Sequence, residues 1–378
     1  MFLRIILLIW TGLHVYVFYR LSTVSIIARH IPNWLLIIVA AILWMSYVLA
    51  RFLDRSGLGA LARPLEVIGA NWIGVFFLLF VGLFAADIAT GFGSLFPRIA
   101  PTLRGWALLA SLVLCVIGAV QARRAPVMRS YEVQLANLPP EQDGTVLVLA
   151  TDLHLDTLLG ERWLAERVTQ IQAEQPDLVI FGGDILEGHR EVHREFLPLL
   201  RRLSAPLGLW AVTGNHEFYG GFETSVRLLK DAGFRVLRDE WAEVRPGLLI
   251  AGVDDLTARR RYGQDGNFVE QALASRPSNA ATIFISHTPW EAERAARAGA
   301  GLMLSGHTHN GQIWPFTYVV RCVHPLLGGR YEVNGMPVIV CRGTGTWGPR
   351  MRLWQRSEMV RVTLCAARQH CNRVDRIG

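Results

Sequence analysis

Five short fragments of this 378-residue chain carry side chains able to hold metal ions, and each one ends an apolar run. In order they are Asp152-Leu153-His154, Gly182-Gly183-Asp184, Gly214-Asn215-His216-Glu217, Ser286-His287-Thr288 and Gly306-His307-Thr308-His309. Singly each is weak, because a histidine at a strand end is more often a hydrogen-bonded structural residue than a ligand. Together, His154, His287, His307 and His309 join Asp152, Asp184 and Asn215 in one set of imidazole and hard oxygen donors. That mixture suits Mn, Fe, Zn or Co better than a calcium cage, and the lack of any thiolate argues against structural zinc. A carboxylate shared between two cations can hold them ~3.5–4 Å apart, which clamps the attacking and leaving oxygens of an in-line displacement at phosphorus.

The elements that must bring these residues together are legible around them. TVLVLATD, LVIFGGD, LGLWAVTG, LLIAGVDD, ATIFISH, LMLSGH and VIVCRG read as strands. Most are near-continuous apolar runs, as strands covered on both faces should be. Segments 161–174, 191–203, 222–232 and 289–298 between them read as helices, so the class is α/β. Ligands in open α/β sheets collect at the carboxyl ends of strands, where glycine lets the chain turn sharply.

The order DLH, GGD, GNHE, SH, GHTH resembles the calcineurin-like metallophosphoesterase family. The following NGQIWPF and the late RGTGTWGPRMRLWQRSEMVRVTL resemble its bacterial membrane-associated phosphohydrolase branch; the likeness covers roughly residues 131–365. It implies a β-sandwich of two mixed sheets flanked by helices. By motif, Asp152, His154 and His309 would hold one divalent metal ion, Asn215, His287 and His307 a second, and Asp184 would bridge them. His216 would be the acid that meets the leaving oxygen. The implied reaction is hydrolysis of a phosphomonoester, phosphodiester or pyrophosphate by a hydroxide shared between the cations. The sequence departs from the family pattern at Glu187, where Asp or Asn is usual, and at Asn310, where a second Gly is usual. Neither change removes a candidate ligand.

Ahead of this domain the composition changes. Apolar stretches occupy about 2–19, 34–50, 67–86 and 105–122, each near the ~20 residues needed to span ~30 Å of hydrocarbon. The second and third carry no charge and no polar face, so an all-α transmembrane segment of about four helices is expected over 1–122. A polar, proline-containing link follows at 123–130, the phosphoesterase domain at 131–365 and a tail at 366–378. Seven Arg on one set of flanks (4, 51, 55, 63, 123, 124, 129) against four on the other (20, 29, 98, 104) favour a cytoplasmic N-terminus. Four spans would then return the catalytic domain to the cytoplasmic side of a bacterial inner membrane, multi-pass. With the chain held there, membrane lipid is an expected partner, and a lipid-linked phosphate is an option for the substrate.

The formal charge of +7 does not argue for a stable nucleic-acid partner, because the basic residues are spread along the chain with no clustered stripe. Five cysteines without CxxC spacing exclude a disulfide scaffold. No internal repeat supports a transporter. A membrane sensor or scaffold that holds metals without turnover is the alternative to an enzyme, and the intact His216 weighs against it. His189 and His193 read as a cleft edge or solvated surface, and His324 as a cleft wall or a loop residue. Trp314, Pro315, Phe316 and Trp347 read equally as an apolar lip for a lipid tail or as packing. Arg259, Arg260 and Arg261 read as a solvated loop.

Overall fold

A computed structural model of the chain describes residues 2–156, 158–187 and 191–366. His189, Cys371 and all but the first residue of the expected tail lie outside the described residues, as does the side chain of His193. The chain divides into two compact units, Met1–Arg124 with Gly348–Leu353, and Ala125–Trp347 with Trp354–Gly378.

The first unit is helical: α1 (Phe2–Ser22), α2 (Ser25–His30), α3 (Asn33–Arg55), α4 (Gly59–Ala89) and α5 (Ala100–Arg123). Among the described residues, three helices are long and apolar enough to cross a membrane: Asn33–Asp54, Gly59–Ala89 and Ala100–Arg123. The first apolar run of the sequence is the helix α1. Ile37, Ile42 and Val116 point their side chains away from the unit, the reverse of a helix packed for water. Its interior carries a buried ionic cluster around Asp87. Asp87 accepts from Arg20 at 2.6 Å, from Arg104 at 2.7 Å and from the Tyr16 hydroxyl at 2.8 Å. Gly348–Leu353 belongs to this unit through backbone bonds. The Arg350 amide donates to Asn71 Oδ1, and the Arg352 amide to the Gly118 carbonyl.

The second unit contains two six-stranded mixed sheets. Its strands are β1 (Val127–Gln134), β2 (Val146–Ala150), β3 (Leu178–Gly182), β4 (Leu209–Val212), β5 (Phe234–Val236) and β6 (Glu240–Arg245). They continue with β7 (Leu248–Gly252), β8 (Ala281–Ile285), β9 (Leu302–Ser305), β10 (Gly329–Val333), β11 (Met336–Val340) and β12 (Glu358–Cys365). One sheet runs β1-β12-β2-β3-β4-β5 and the other β10-β11-β9-β8-β7-β6. In the first, β2 to β5 are parallel, in the second β7, β8, β9 and β11. All seven apolar runs form strands, and the two sheets enclose one buried core. Leu149, Ile180 and Val212 meet Ile250, Ile283, Leu304 and Ile339 there. The remaining faces are covered by helices: α6 (Glu161–Ala173), α7 (Leu197–Leu200), α8 (Asn215–Gly220) and α9 (Phe222–Asp231) precede β5. Later come α10 (Leu256–Arg261), α11 (Phe268–Ala272), α12 (Ala292–Arg297) and α13 (Phe316–Val323).

Local differences from the sequence reading have local causes. The chain is already in β1 at Val127, inside the polar stretch 123–130, because that stretch pairs in parallel with β12 from Val127↔Glu358 onward. Segment 191–203 is a 3-10 turn, Glu191–Phe196, followed by α7, whose first turn holds Pro198. The segment 289–298 becomes helical only at Ala292, since Glu291 takes a left-handed φ of 60°. Arg259 is not in a solvated loop: it sits in α10, buried, ion-paired to Asp239 and to Asp254 (3.4 Å), with its guanidinium over Phe268. Arg260 and Arg261 beside it are exposed.

Asp87→Ala would leave two guanidiniums without their shared carboxylate in a buried setting. Loss of one partner of a buried pair costs about 3–5 kcal/mol. The expected outcome is a clearly lower thermal midpoint of the full chain in detergent, and unfolding at the parental temperature would show the cluster to be neutral.

Candidate metal centre

All the candidate ligands stand just beyond the carboxyl ends of parallel strands. Asp152 and His154 follow β2, Asp184 follows β3, and Asn215 and His216 open α8 after β4. His287 follows β8, while His307 and His309 follow β9. β2, β3 and β4 are neighbours in one sheet, β8 and β9 in the other, so packing the sheets face to face brings two strand-end clusters together.

The turns that achieve this are costly. Asp152, His154, Asp184, His307 and His309 all have positive φ, between 46° and 70°, in a region that non-glycine residues rarely enter. Such backbone persists where surrounding bonds over-determine it. The Asp152 amide donates to the Gly183 carbonyl (2.9 Å), the His154 amide to the Asp184 carbonyl (3.0 Å) and the Gly345 amide to the Asp152 carbonyl (2.9 Å). The His307 amide donates to the Asp152 carboxylate at 3.1 Å, and the His216 amide to Asp184 Oδ1 at 2.9 Å. Gly214 is required by contact, since a Cβ there would lie 2.1 Å from Asp184 Oδ1.

Within this frame, lone pairs face one another. His154 Nδ1 lies 2.8 Å from Glu187 and His287 Nδ1 lies 2.8 Å from the Gly182 carbonyl, so each ring donates outward through Nδ1. Each Nε2 is then directed into the cavity. His154 Nε2 is 3.1 Å from His309 Nε2 and 3.8 Å from Asp184 Oδ2. His309 Nε2 is 3.3 Å from Asp152 Oδ1. On the other side, His287 Nε2 is 3.1 Å from Asp184 Oδ2 and 3.3 Å from His307 Nδ1. Asn215 Oδ1 is buried with no hydrogen-bond partner among the described residues. Acceptors at these separations repel unless a proton or a metal cation sits between them. Nδ1 bonds of this kind are also what fixes the tautomer of a metal-binding histidine.

Among the described residues, three groups have potential ligand atoms within 4.8 Å of one another: Asp152, His154 and His309; Asp184, His287 and His307; and His154, Asp184 and His216. The first two fit a pair of cations.

Electrostatics agree with a cation-seeking cavity. Burial disfavours charge on His287, yet Asp184, Asp152 and Asp255 raise its pKa well above the ordinary value. For His307, burial and the neighbouring His287 push it down to about 4. Burial also opposes protonation of His216, but the carboxylates of Glu187 and Asp184 outweigh it and lift it to about 9. The ring sits with Nε2 4.0 Å from Asp184 Oδ2, and its centroid lies 5.5 Å from that of Tyr219 and 6.2 Å from that of Trp347.

Two carboxylates behind the cavity carry more of the site than the sequence reading gave them. Glu187, noted there only as a departure, accepts from His154 Nδ1 at 2.8 Å and His216 Nδ1 at 2.7 Å. It thereby orients a candidate ligand and the candidate acid together. Glu217 accepts four backbone amides, those of Gly214 (2.7 Å), Asp184 (3.0 Å), Ile185 (2.8 Å) and Leu186 (3.1 Å). Its position three residues after Gly214, at the start of a helix, is the sequence signal that could have revealed it. His324 belongs to the cleft: its ring is 5.0 Å from His307 and stacks on Trp290 at 5.6 Å.

Residues 146–311 match the family model described as calcineurin-like phosphoesterase. The chain is 34% identical over 269 residues to a "Transmembrane protein with metallophosphoesterase domain" of Danio rerio, covering 68% of this chain and 62% of that one. The Bos taurus protein of the same name is 32% identical over 281 residues, with 69% and 62% covered. An "Uncharacterized metallophosphoesterase" of Aquifex aeolicus is 33% identical over 239 residues, which are 63% of this chain and 91% of that one. The matched part thus spans under two thirds of both vertebrate relatives and nearly all of the bacterial one.

Two substitutions probe the geometry. Gly214→Ala should displace the Asp184 carboxylate and weaken Mn binding at least tenfold by calorimetry, with far-UV circular dichroism unchanged. Glu187→Gln removes the negative charge that raises His216, so in the metal-free protein its pKa should fall from about 9 toward the ordinary 6.5, as read by NMR titration. An unshifted His216 would deny Glu187 this role.

Proposed function

We propose, because this chain belongs to the calcineurin-like metallophosphoesterase family, that it is a metal-dependent phosphohydrolase using the cavity between the two sheets as its active site. One observation carries the reading. The inward Nε2 atoms of His154 and His287, each set by an outward Nδ1 bond, converge with Asp184, His307 and His309 at separations that call for positive charge between them, which two cations would supply.

Asp152, His154 and His309 would hold one divalent cation, His287, His307 and Asn215 the other, with Asp184 between them. When bound, such a pair neutralises phosphate charge and makes hydroxide available at neutral pH. The remaining demand falls on the leaving oxygen. His216 is suited to meet it, because Glu187 holds its ring in place through Nδ1 and favours the protonated form, leaving the Nε2 proton to be donated. Glu187 is then a positioning residue. The substrate class is a phosphomonoester, phosphodiester or pyrophosphate.

The apolar helices support residence in a membrane, and the seven-to-four Arg bias supports a cytoplasmic catalytic unit at a bacterial inner membrane. A substrate linked to lipid follows from that location.

The test is an activity panel of the full chain in Mn, Fe, Zn and Co with aryl phosphomonoesters, phosphodiesters and diphosphates. Asp184→Asn should lose both metal and turnover. His216→Ala should keep its metal content and lose about 10²–10⁴-fold in kcat. Full metal loading without turnover of any ester would instead identify a metal-holding sensor or scaffold.

A further inference from the structure

The helix α13 leaves most of its apolar residues exposed. Phe316, Val319, Val320 and Val323 share one face at helical spacing, with Tyr318 and Cys322 beside them, while Thr317 and Arg321 form the narrow polar stripe. On a protein packed for water the apolar face would turn inward. Here it is Thr317 that meets the protein: its hydroxyl donates to the Asn310 carbonyl at 3.0 Å, and its backbone abuts Gly311. None of the eight residues of α13 is buried, and Tyr318, Val319 and Val323 are 56–61% exposed. Exposed Trp314 and Trp354 extend the same surface, their rings 5.1 Å apart in a T-shaped pair.

We propose that α13 with Trp314 and Trp354 is a membrane-docking surface that lies in the headgroup boundary of a bilayer and presents the metal centre to phosphate groups carried on lipid. Three observations select a bilayer as the occupant. The same chain carries three helices long and apolar enough to cross one. Residues 124–126 alone connect α5 to β1, a leash of at most about 14 Å, so the catalytic unit cannot leave a membrane that α5 spans. Trp354 directly follows Gly348–Leu353, the segment that belongs to the helical unit. The surface also has the composition of a helix lying in the interface plane, with aromatic residues that favour the headgroup level and a basic residue on the polar side.

The consequence concerns substrate. α13 begins seven residues after His309 and is joined to it through the turn at Asn310 and Gly311, so docking α13 fixes the cleft mouth at the level where a lipid phosphate sits. This second step rests on the hydrolase reading, whereas the docking surface stands without it.

Cys322 offers a native probe, since it is exposed while Cys115, Cys341 and Cys365 are buried. The full chain with Cys371→Ser, labelled with a fluorophore at Cys322, would be placed in nanodiscs. Quenching by a lipid carrying a nitroxide high on its acyl chain, with little effect of aqueous iodide, is the expected result. Quenching by iodide alone overturns the inference, and protection from both quenchers does so too by pointing to a second copy of the chain over α13. In parallel, hexadecyl p-nitrophenyl phosphate in vesicles and ethyl p-nitrophenyl phosphate in solution present the same scissile bond. The double variant Val319→Asp, Val323→Asp should lower the ratio of vesicle to solution turnover at least tenfold, with the soluble ester hydrolysed within twofold of the parent rate. An unchanged ratio sinks the docking role. If the parent chain cleaves neither ester, the phosphodiesterase form of the hydrolase reading fails, and the quenching result still decides the docking surface.

Discussion

Two imidazoles, His154 and His287, have each committed one ring nitrogen to a partner outside the cavity, which leaves the other nitrogen facing inward against further lone pairs. Burying carboxylates beside them adds to the cost, for a buried ion carries a penalty of several kcal/mol even after relaxation. Only positive charge placed between these atoms relieves it. The left-handed turns at Asp152, His154, Asp184, His307 and His309 act in the same direction, since relaxing any of them would move a donor away from the common cavity. The two sheets therefore hold a site that is unfavourable by itself and that the apolar core between them must stabilise, with Leu149, Ile180, Ile283 and Leu304 directly behind the strand ends.

A second ring of carboxylates shows how the protein manages that charge. Glu217 is surrounded by four amide donors, which satisfy a buried carboxylate without a counter-ion and clamp the turn after β3 to the start of α8. Glu187 has two imidazoles instead. One carboxylate thus secures backbone and the other secures ring orientation.

The two units follow opposite solvent rules. In the helical unit many large apolar side chains point outward while Asp87 grips Arg20 and Arg104 inside. In the catalytic unit the core between the sheets is apolar, and buried charge gathers at the strand-end cavity and at the Arg259 network. α13 belongs to the catalytic unit by chain position but obeys the rule of the helical one, which is why its exposed valines and aromatics call for a physical account.

Sequence alone determined the seven apolar strands, because a strand covered on both faces must be apolar along its length, and it determined that five fragments with ligand chemistry sit at strand ends. Four of the five strands outside that set are those where this logic fails, whereas β12 is buried over most of its length despite Glu358, Arg361 and Thr363. β1, β6 and β10 are polar on one face, at or near sheet edges, and β5 is three residues long. The hairpin of β10 and β11 was legible in principle, since Asn334 and Gly335 both take positive φ in its two-residue turn. Tertiary structure alone decided what each charged side chain meets. Arg259 became a buried ion-pair partner, Glu187 a link between His154 and His216, and α13 an outward-facing apolar helix. Local periodicity reports which residues avoid water, but a hydrogen bond between residues 187 and 216 exists only once two strand ends have been packed side by side.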